Sequence, residues 1–205
     1  MANYREQLTE YTEKLAIDIF KKLGITAISN NNSNITNVDL LVGENSTKID
    51  VQFSQDFAKW GDLRLDFVSA YSKGIKGQSY STDNLFKKFE SENGLKVDKV
   101  GKFFQKDYLD AIIVLFYDQK LVQNNNAPDN ILIISKKYLL DYFGENIQNI
   151  IKDVKLNHKQ SLGDLHGSAF IPIKISDLIQ KTPCYYGSLT ELLKKASEIK
   201  KYLNA

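Results

Sequence analysis

The sequence predicts a mixed α/β (α+β) fold, a central mixed sheet flanked by helices. Three observations carry that expectation. Residues 4 to 23 place Leu8, Tyr11, Leu15, Ile19 and Leu23 at helical spacing. The runs "DAIIVLFYD" and "NILIIS" are continuously apolar over strand length, as strands covered on both faces are. Around them helical and extended patterns alternate, the order that builds a sheet with helices packed on it.

The elements follow in order. Gly24 is a natural stop for the first helix, and "ITAIS" reads as a short strand. "VDLLV" and "KIDVQFS", joined by a polar turn containing Gly43, form a β-hairpin with an acid on each strand, Asp39 and Asp50. "LRLDFVSAY" is expected to be a strand, with Leu63, Leu65 and Phe67 on one face and Arg64, Asp66 and Val68 on the other. "GIKGQSYSTD" reads as a flexible loop, after which Thr82 or Asp83 caps a short helix running through Glu90. "KKYLLDYFGENIQNIIKDV" is helical, with a break near Gly144. "AFIPIKI" is a late strand that Pro172 confines to an edge or bulge. In "SLTELLKKASEIKKYLN", Ser188 and Glu191 spell a capping box. Leu189, Leu192, Leu193, Ala196 and Ile199 form the apolar stripe of one closing helix. "NNNSN" and "QNNNAPDN" read as surface loops. Without a repeat or a shift in composition, residues 1–205 are expected to form a single domain. Its catalytic core would span about 4–135, and residues 136–205 would complete the fold or supply an oligomer surface.

Composition narrows the function. Of 205 residues 42 % are hydrophobic and 25 % charged, with a formal net charge of +2. A bulk polycation is excluded, whereas a local basic surface is not. Cys184 is the sole cysteine. It excludes an internal disulfide, argues against a Cys-based zinc site, and fits a reducing, intracellular (cytoplasmic) setting. The charged N-terminus does not read as a signal peptide, and no apolar run approaches the ~20 residues that span a bilayer. His158 and His166 fall in a loop-rich region without zinc-like spacing. P-loop, dinucleotide and nucleophile-elbow motifs are absent from the sequence.

Asp39 and the run Asp50-Val51-Gln52 carry the chemistry. In a strand, Asp50 and Gln52 project to one side and Val51 to the other. An Asp inside a strand contradicts β-propensity, and two carboxylates among apolar residues repel unless a cation compensates. Two converging carboxylates make a hard oxygen site suited to Mg²⁺, with Mn²⁺ as substitute. Such an ion clamps a phosphate and activates water.

This arrangement resembles the core of the PD-(D/E)XK (restriction-endonuclease-like) nuclease superfamily. There, an acid on one strand is followed by an acid, any residue and usually Lys on the next. The resemblance covers residues 10 to 71. It implies a restriction-endonuclease-like fold and a Mg²⁺-dependent DNA endonuclease of restriction or homing type. Asp39, Asp50 and the Val51 carbonyl would hold the metal. It also implies a Glu on the first helix; the matching residue is Glu13, with Glu10 as substitute. Two departures stand out. Val38 replaces the usual Pro, and Gln52 occupies the Lys position. Gln can position a water but cannot act as a base. Lys48 shares the face of Asp50 and is the first candidate for the missing cation, ahead of Lys59 and Lys73. Asp66 is a further acid or a partner of Arg64.

DNA would meet the loop "SAYSKGIKGQSYSTDNLFKK". Lys73, Lys76 and Lys87 suit phosphates, and Gln78, Ser79 and Tyr80 add polar and aromatic reach toward bases. A double-strand break would favour a homodimer or homotetramer. The alternative is a catalytically inactive nuclease-fold module that binds DNA or protein.

Overall fold

The computed structural model describes residues 4–30, 38–55, 57–118, 127–161 and 164–203. The Asn-rich stretch after Asn30 and the part of the second before Ala127 lie outside them. In chain order the elements are α1 (Tyr4–Lys22), β1 (Ala27–Ser29), β2 (Leu40–Val42), β3 (Thr47–Ser54), α2 (Phe57–Trp60), β4 (Asp62–Lys73), α3 (Asn84–Asn93) and β5 (Leu95–Val100). A 3-10 turn at Lys102–Phe104 precedes β6 (Ala111–Phe116), β7 (Asn130–Ser135), α4 (Lys136–Asp153), β8 (Lys155–Ser161) and β9 (Asp164–Lys174). The chain closes with α5 (Ile175–Lys181), β10 (Tyr185–Gly187), α6 (Leu189–Lys194) and α7 (Ala196–Leu203). It divides into two compact units. The first joins Met1–Gly61, Asp107–Leu140 and Ser176–Ala205; the second joins Asp62–Lys106 and Asp141–Ile175.

The first unit is built on a six-stranded mixed sheet in the order β1-β2-β3-β6-β7-β10. Only β3 and β6 run parallel among its neighbouring pairs; the others are antiparallel. Every residue of β6 is buried, which explains its unbroken apolar sequence. On one face, Ala16, Ile19 and Phe20 of α1 pack with Leu40, Val42, Ile49 and Val51 of the hairpin. Leu192 of α6 and Ile199 and Leu203 of α7 extend the same core. Each such side chain larger than that of Ala16 contributes about 1.5–3 kcal/mol on burial. The Ser188–Glu191 capping box forms as its sequence indicates. The expected single closing helix is instead two, with Lys195 capping α6. Leu193 leaves the stripe and is 38 % exposed.

The second unit is built on an antiparallel sheet in the order β5-β4-β9-β8. Strands β5 and β8 escape the sequence reading: β8 is a polar edge strand without apolar alternation, and β5 is a short edge strand with Leu95 and Val97 alone alternating before two consecutive polar residues. His158 and His166 therefore lie in paired strands, not in a loop-rich region. In β4 the register shifts between Asp66 and Val68. This bulge buries both Phe67 and Val68, so Val68 does not share the exposed face of Arg64 and Asp66. Pro172 pairs with Arg64 on one side, while β8 reaches only to Phe170 on the other, so the proline occupies a local edge. Asp83 caps α3 by accepting from the Leu85 N–H, and Gly94 closes it at φ 64°. Phe86 of α3 stacks on Phe67 at 4.9 Å between ring centres, and Phe89 meets Phe67 edge-on.

Helix α4 continues through Gly144 without the expected break. Glycine there costs about 1 kcal/mol relative to alanine, which tertiary packing overrides. Among the described residues, no helix is long and apolar enough to cross a membrane.

Candidate functional site

Hairpin register sets the position of the two acids. Leu40 faces Ile49 and Leu41 faces Lys48, so continuing the ladder one step brings Asp39 opposite Asp50. Strand β2 begins at Leu40, and Asp39 lies just outside it. Instead of extending the ladder, the Asp39 carboxylate accepts the Val51 N–H at 2.7 Å. The Asp39 carbonyl accepts from the Asn30 N–H, which ties the residue to the end of β1.

Backbone direction shows which edge this is. Lys48 donates its N–H to Asp110 and accepts the Asp110 N–H on its carbonyl, so its peptide groups face β6. Alternation along β3 turns Val51 the other way, toward Asp39. The Val51 carbonyl shares the edge of its N–H, beyond the point where β2 ends. The Asp39 carboxylate and the Val51 peptide groups thus share one edge of β3, beside Asp50 in the chain. Carboxylate and carbonyl oxygens are the kind of donor that a hard divalent cation takes.

Asp50 is 5 % exposed. It stands next to Ile112 in the parallel ladder with β6. Gln52, two residues on and on the same face, donates its Nε2 to Asp50 Oδ2 at 2.8 Å. The amide thus offers the buried carboxylate a donor where Lys would offer a charge.

Lys48 shares that face but is tied elsewhere. Its Nζ donates to the Asp107 carbonyl at 3.0 Å, toward the start of β6 and away from Gln52. Asp107, Asp110, Lys48 and Lys136 form a charge cluster there. Burial lowers the Lys136 pKa, Asp107 and Asp110 counter the fall, and Lys48 adds to it. Lys59 lies 4.8 Å from the centre of the Trp60 ring. Glu13 is half-buried on α1 and Glu10 is exposed. Among the described residues, no three His, Cys, Asp or Glu side chains gather into a group able to hold a metal ion. The structure thus brings together Asp39, Asp50, Val51 and Gln52; among the described residues, neither Glu13 nor Glu10 forms with the two acids a group able to hold a metal ion.

Asp66 lies on the four-stranded sheet, where it accepts the Ser69 hydroxyl, and Arg64 meets Asp62 at 3.3 Å. The basic loop belongs to the second unit. Lys73, Lys76, Gln78, Ser79, Tyr80 and Lys87 are all exposed. The loop is hydrogen-bonded in place, contrary to the flexible loop its composition suggests. Glu90, 0 % exposed on α3, accepts the Tyr80 N–H at 2.7 Å, the Ser81 N–H at 2.8 Å and the Val97 N–H at 2.9 Å. Burial raises the Glu90 pKa, but these backbone donors and the Ser81 side chain outweigh it and hold the carboxyl below its ordinary value. Gly77 donates to the Ser91 carbonyl, and the Ile75 N–H reaches the Tyr80 hydroxyl at 3.3 Å. Sequence reasoning passed over Glu90, although an acid beside Phe86 and Phe89 on the apolar face of a helix is a visible signal.

No family model, curated protein or solved structure matches the chain.

Proposed function

We propose that this chain is a Mg²⁺-dependent DNA endonuclease of the restriction-endonuclease-like kind, cutting duplex DNA as a restriction or homing enzyme does. The observation that carries the reading is the Val51 N–H bond to Asp39, which sets a second carboxylate beside the Asp50–Val51 peptide. The preceding helix and the mixed sheet support it.

Asp39, Asp50 and the Val51 carbonyl would hold Mg²⁺, or Mn²⁺ in its place. When bound, the ion clamps the scissile phosphate and makes water an effective nucleophile near neutral pH. Gln52 donates to Asp50 through Nε2 and offers its Oε1 to orient the attacking water. The water oxygen bonds to phosphorus, the bond to the 3′ oxygen breaks, and a 5′-phosphate remains. Gln52 cannot take the proton, which passes to the departing oxygen or to solvent. Glu13 supports the site from α1 as the resemblance implies. Lys48 would supply a cation to the site only on leaving the Asp107 carbonyl that holds its ammonium. Lys73, Lys76 and Lys87 contact phosphates, and Gln78, Ser79 and Tyr80 face bases. One site cuts one strand, so a double-strand break calls for a homodimer or homotetramer. An intracellular, cytoplasmic enzyme fits the single thiol.

A second reading is favoured by Gln52 and by the tie of Lys48 to Asp107. It is a nuclease-fold module that binds DNA or protein without cutting. Wild type and Asp50→Ala, each incubated with a pooled duplex-DNA library in Mg²⁺, Mn²⁺ or EDTA, separate the two. Metal-dependent new ends that vanish in the variant support the enzyme. Retention of DNA without cutting supports the module.

A further inference from the structure

The braced loop carries an apolar side chain where a solvated loop needs none. Ile75 is 64 % exposed, more than any other large hydrophobic residue among those described. It stands between Gly74 and Lys76, and its backbone N–H reaches the hydroxyl of Tyr80, itself 40 % exposed. The exposed charges on the loop and on the residues that hold it are Lys73, Lys76, Lys87, Lys96 and Glu92, cations in the majority, while Asp83 is occupied as the cap of α3.

The backbone under Ile75 is fixed at several points. Gly74 donates to the Gly94 carbonyl, Gly77 to the Ser91 carbonyl and Gln78 to the Ile75 carbonyl. A Cβ on Gly74 would lie 2.6 Å from the Leu95 carbonyl carbon, so the loop passes β5 more closely than any other residue allows. Glu90 holds Tyr80 and Ser81 from below. A side chain that must displace a neighbour needs such a base, because a mobile loop would yield instead.

We propose that Ile75 is a wedge that enters a base step of duplex DNA, with Lys73, Lys76 and Lys87 on the flanking phosphates and Glu90 as the positioning residue that keeps the loop rigid. This rests on the DNA reading above and adds its mode of contact. Apolar side chains on basic elements partly unstack a step and bend the duplex, and the phosphate contacts offset the cost of unstacking. Tyr80, linked to the Ile75 backbone, lies against the same step. The wedge explains why the loop combines cations with an exposed isoleucine.

The test uses the full chain in EDTA, which prevents cutting, and duplexes carrying 2-aminopurine at successive positions of mixed sequence. Wild type is expected to raise the fluorescence of the probe on binding, by severalfold at the entered step. Ile75→Ala is expected to bind with an unchanged salt slope and no fluorescence rise. Lys76→Ala is expected to reduce the salt slope by about 1 while the rise survives at saturation. Glu90→Gln, in which the amide faces a backbone donor, is expected to diminish the rise with a small change in slope. Equal thermal midpoints for wild type and Ile75→Ala establish that the exposed substitution leaves the fold intact. A rise that persists in Ile75→Ala, or that is as large on single strands, overturns the wedge and leaves DNA binding standing. No binding of duplex by wild type at low salt overturns the DNA reading and the wedge together.

Discussion

The Asp39 carboxylate meets the Val51 N–H at 2.7 Å although Asp39 lies outside the strand it precedes. The bond couples the end of one strand to the middle of the next. It makes the approach of Asp39 to the Asp50 peptide a consequence of hairpin register. A slip of one residue would send Asp50 and Gln52 to the opposite face and remove the pairing altogether.

Gln52 donates to the oxygen of a carboxylate that is itself almost fully buried. Gln52→Ala removes that donor and leaves Asp50 less well oriented. Metal affinity or cleavage is expected to fall by about 10–100-fold, as for other groups that orient a metal ligand. Manganese titration and initial cleavage rates, measured on the same preparation, check this. Unchanged values would remove Gln52 from the site.

Glu90 links stability to pH. Its pKa is lower folded than unfolded. Its contribution is therefore complete above the ordinary glutamate range, ~4.3, and is lost as pH falls through the lower folded value. Glu90→Gln leaves a backbone donor facing an amide N–H, and is expected to cost about 1–3 kcal/mol at neutral pH. Urea midpoints of the two proteins should converge below the glutamate range. A difference that stays constant into acid would contradict the assignment.

Gly101 lies where β5 passes the bulge of β4. Its N–H donates to the Phe67 carbonyl at 2.9 Å, and a Cβ there would sit 2.5 Å from the Asp66 carbonyl carbon and closer still to its oxygen. Backbone cannot yield as a side-chain tip can. Gly101→Ala is expected to destabilise by about 1–3 kcal/mol through overpacking. Thermal melting of the variant checks this, and an unshifted midpoint would refute the close approach.

Burial pushes the Cys184 thiol up to about 11. At pH 8 the group is almost entirely protonated and a poor nucleophile. Iodoacetamide is expected to label the native chain far more slowly than the urea-unfolded chain. Equal rates would contradict the burial.

Much of the six-stranded sheet was legible because its signals are local. The apolar runs of β6 and β7, the hairpin turn and the Ser188–Glu191 box each declare themselves within a few residues. The second sheet was less legible. The edge strand β8 is polar, and β9 is longer than its apolar stretch. The bulge at Asp66–Val68 breaks the alternation on which face assignment depends. At the site, the pairing of Asp39 with the Asp50 peptide follows from hairpin register, which sequence conveys. The attachment of Lys48 to Asp107 joins residues 59 positions apart, which local pattern cannot convey. Glu90 was legible in principle as an acid on an apolar helix face. Its three backbone donors come from two separate segments, and only the folded loop reveals them.

Calorimetric titration of Mn²⁺ into wild type, Asp39→Asn and Asp50→Asn tests the central claim most directly. Both variants keep the size of the side chain, and their thermal midpoints report whether the fold survives. The account predicts saturable binding by wild type and at least tenfold weaker binding by each folded variant. Binding by both variants as tight as wild type, or none by wild type, would contradict a divalent-cation site held by Asp39 and Asp50.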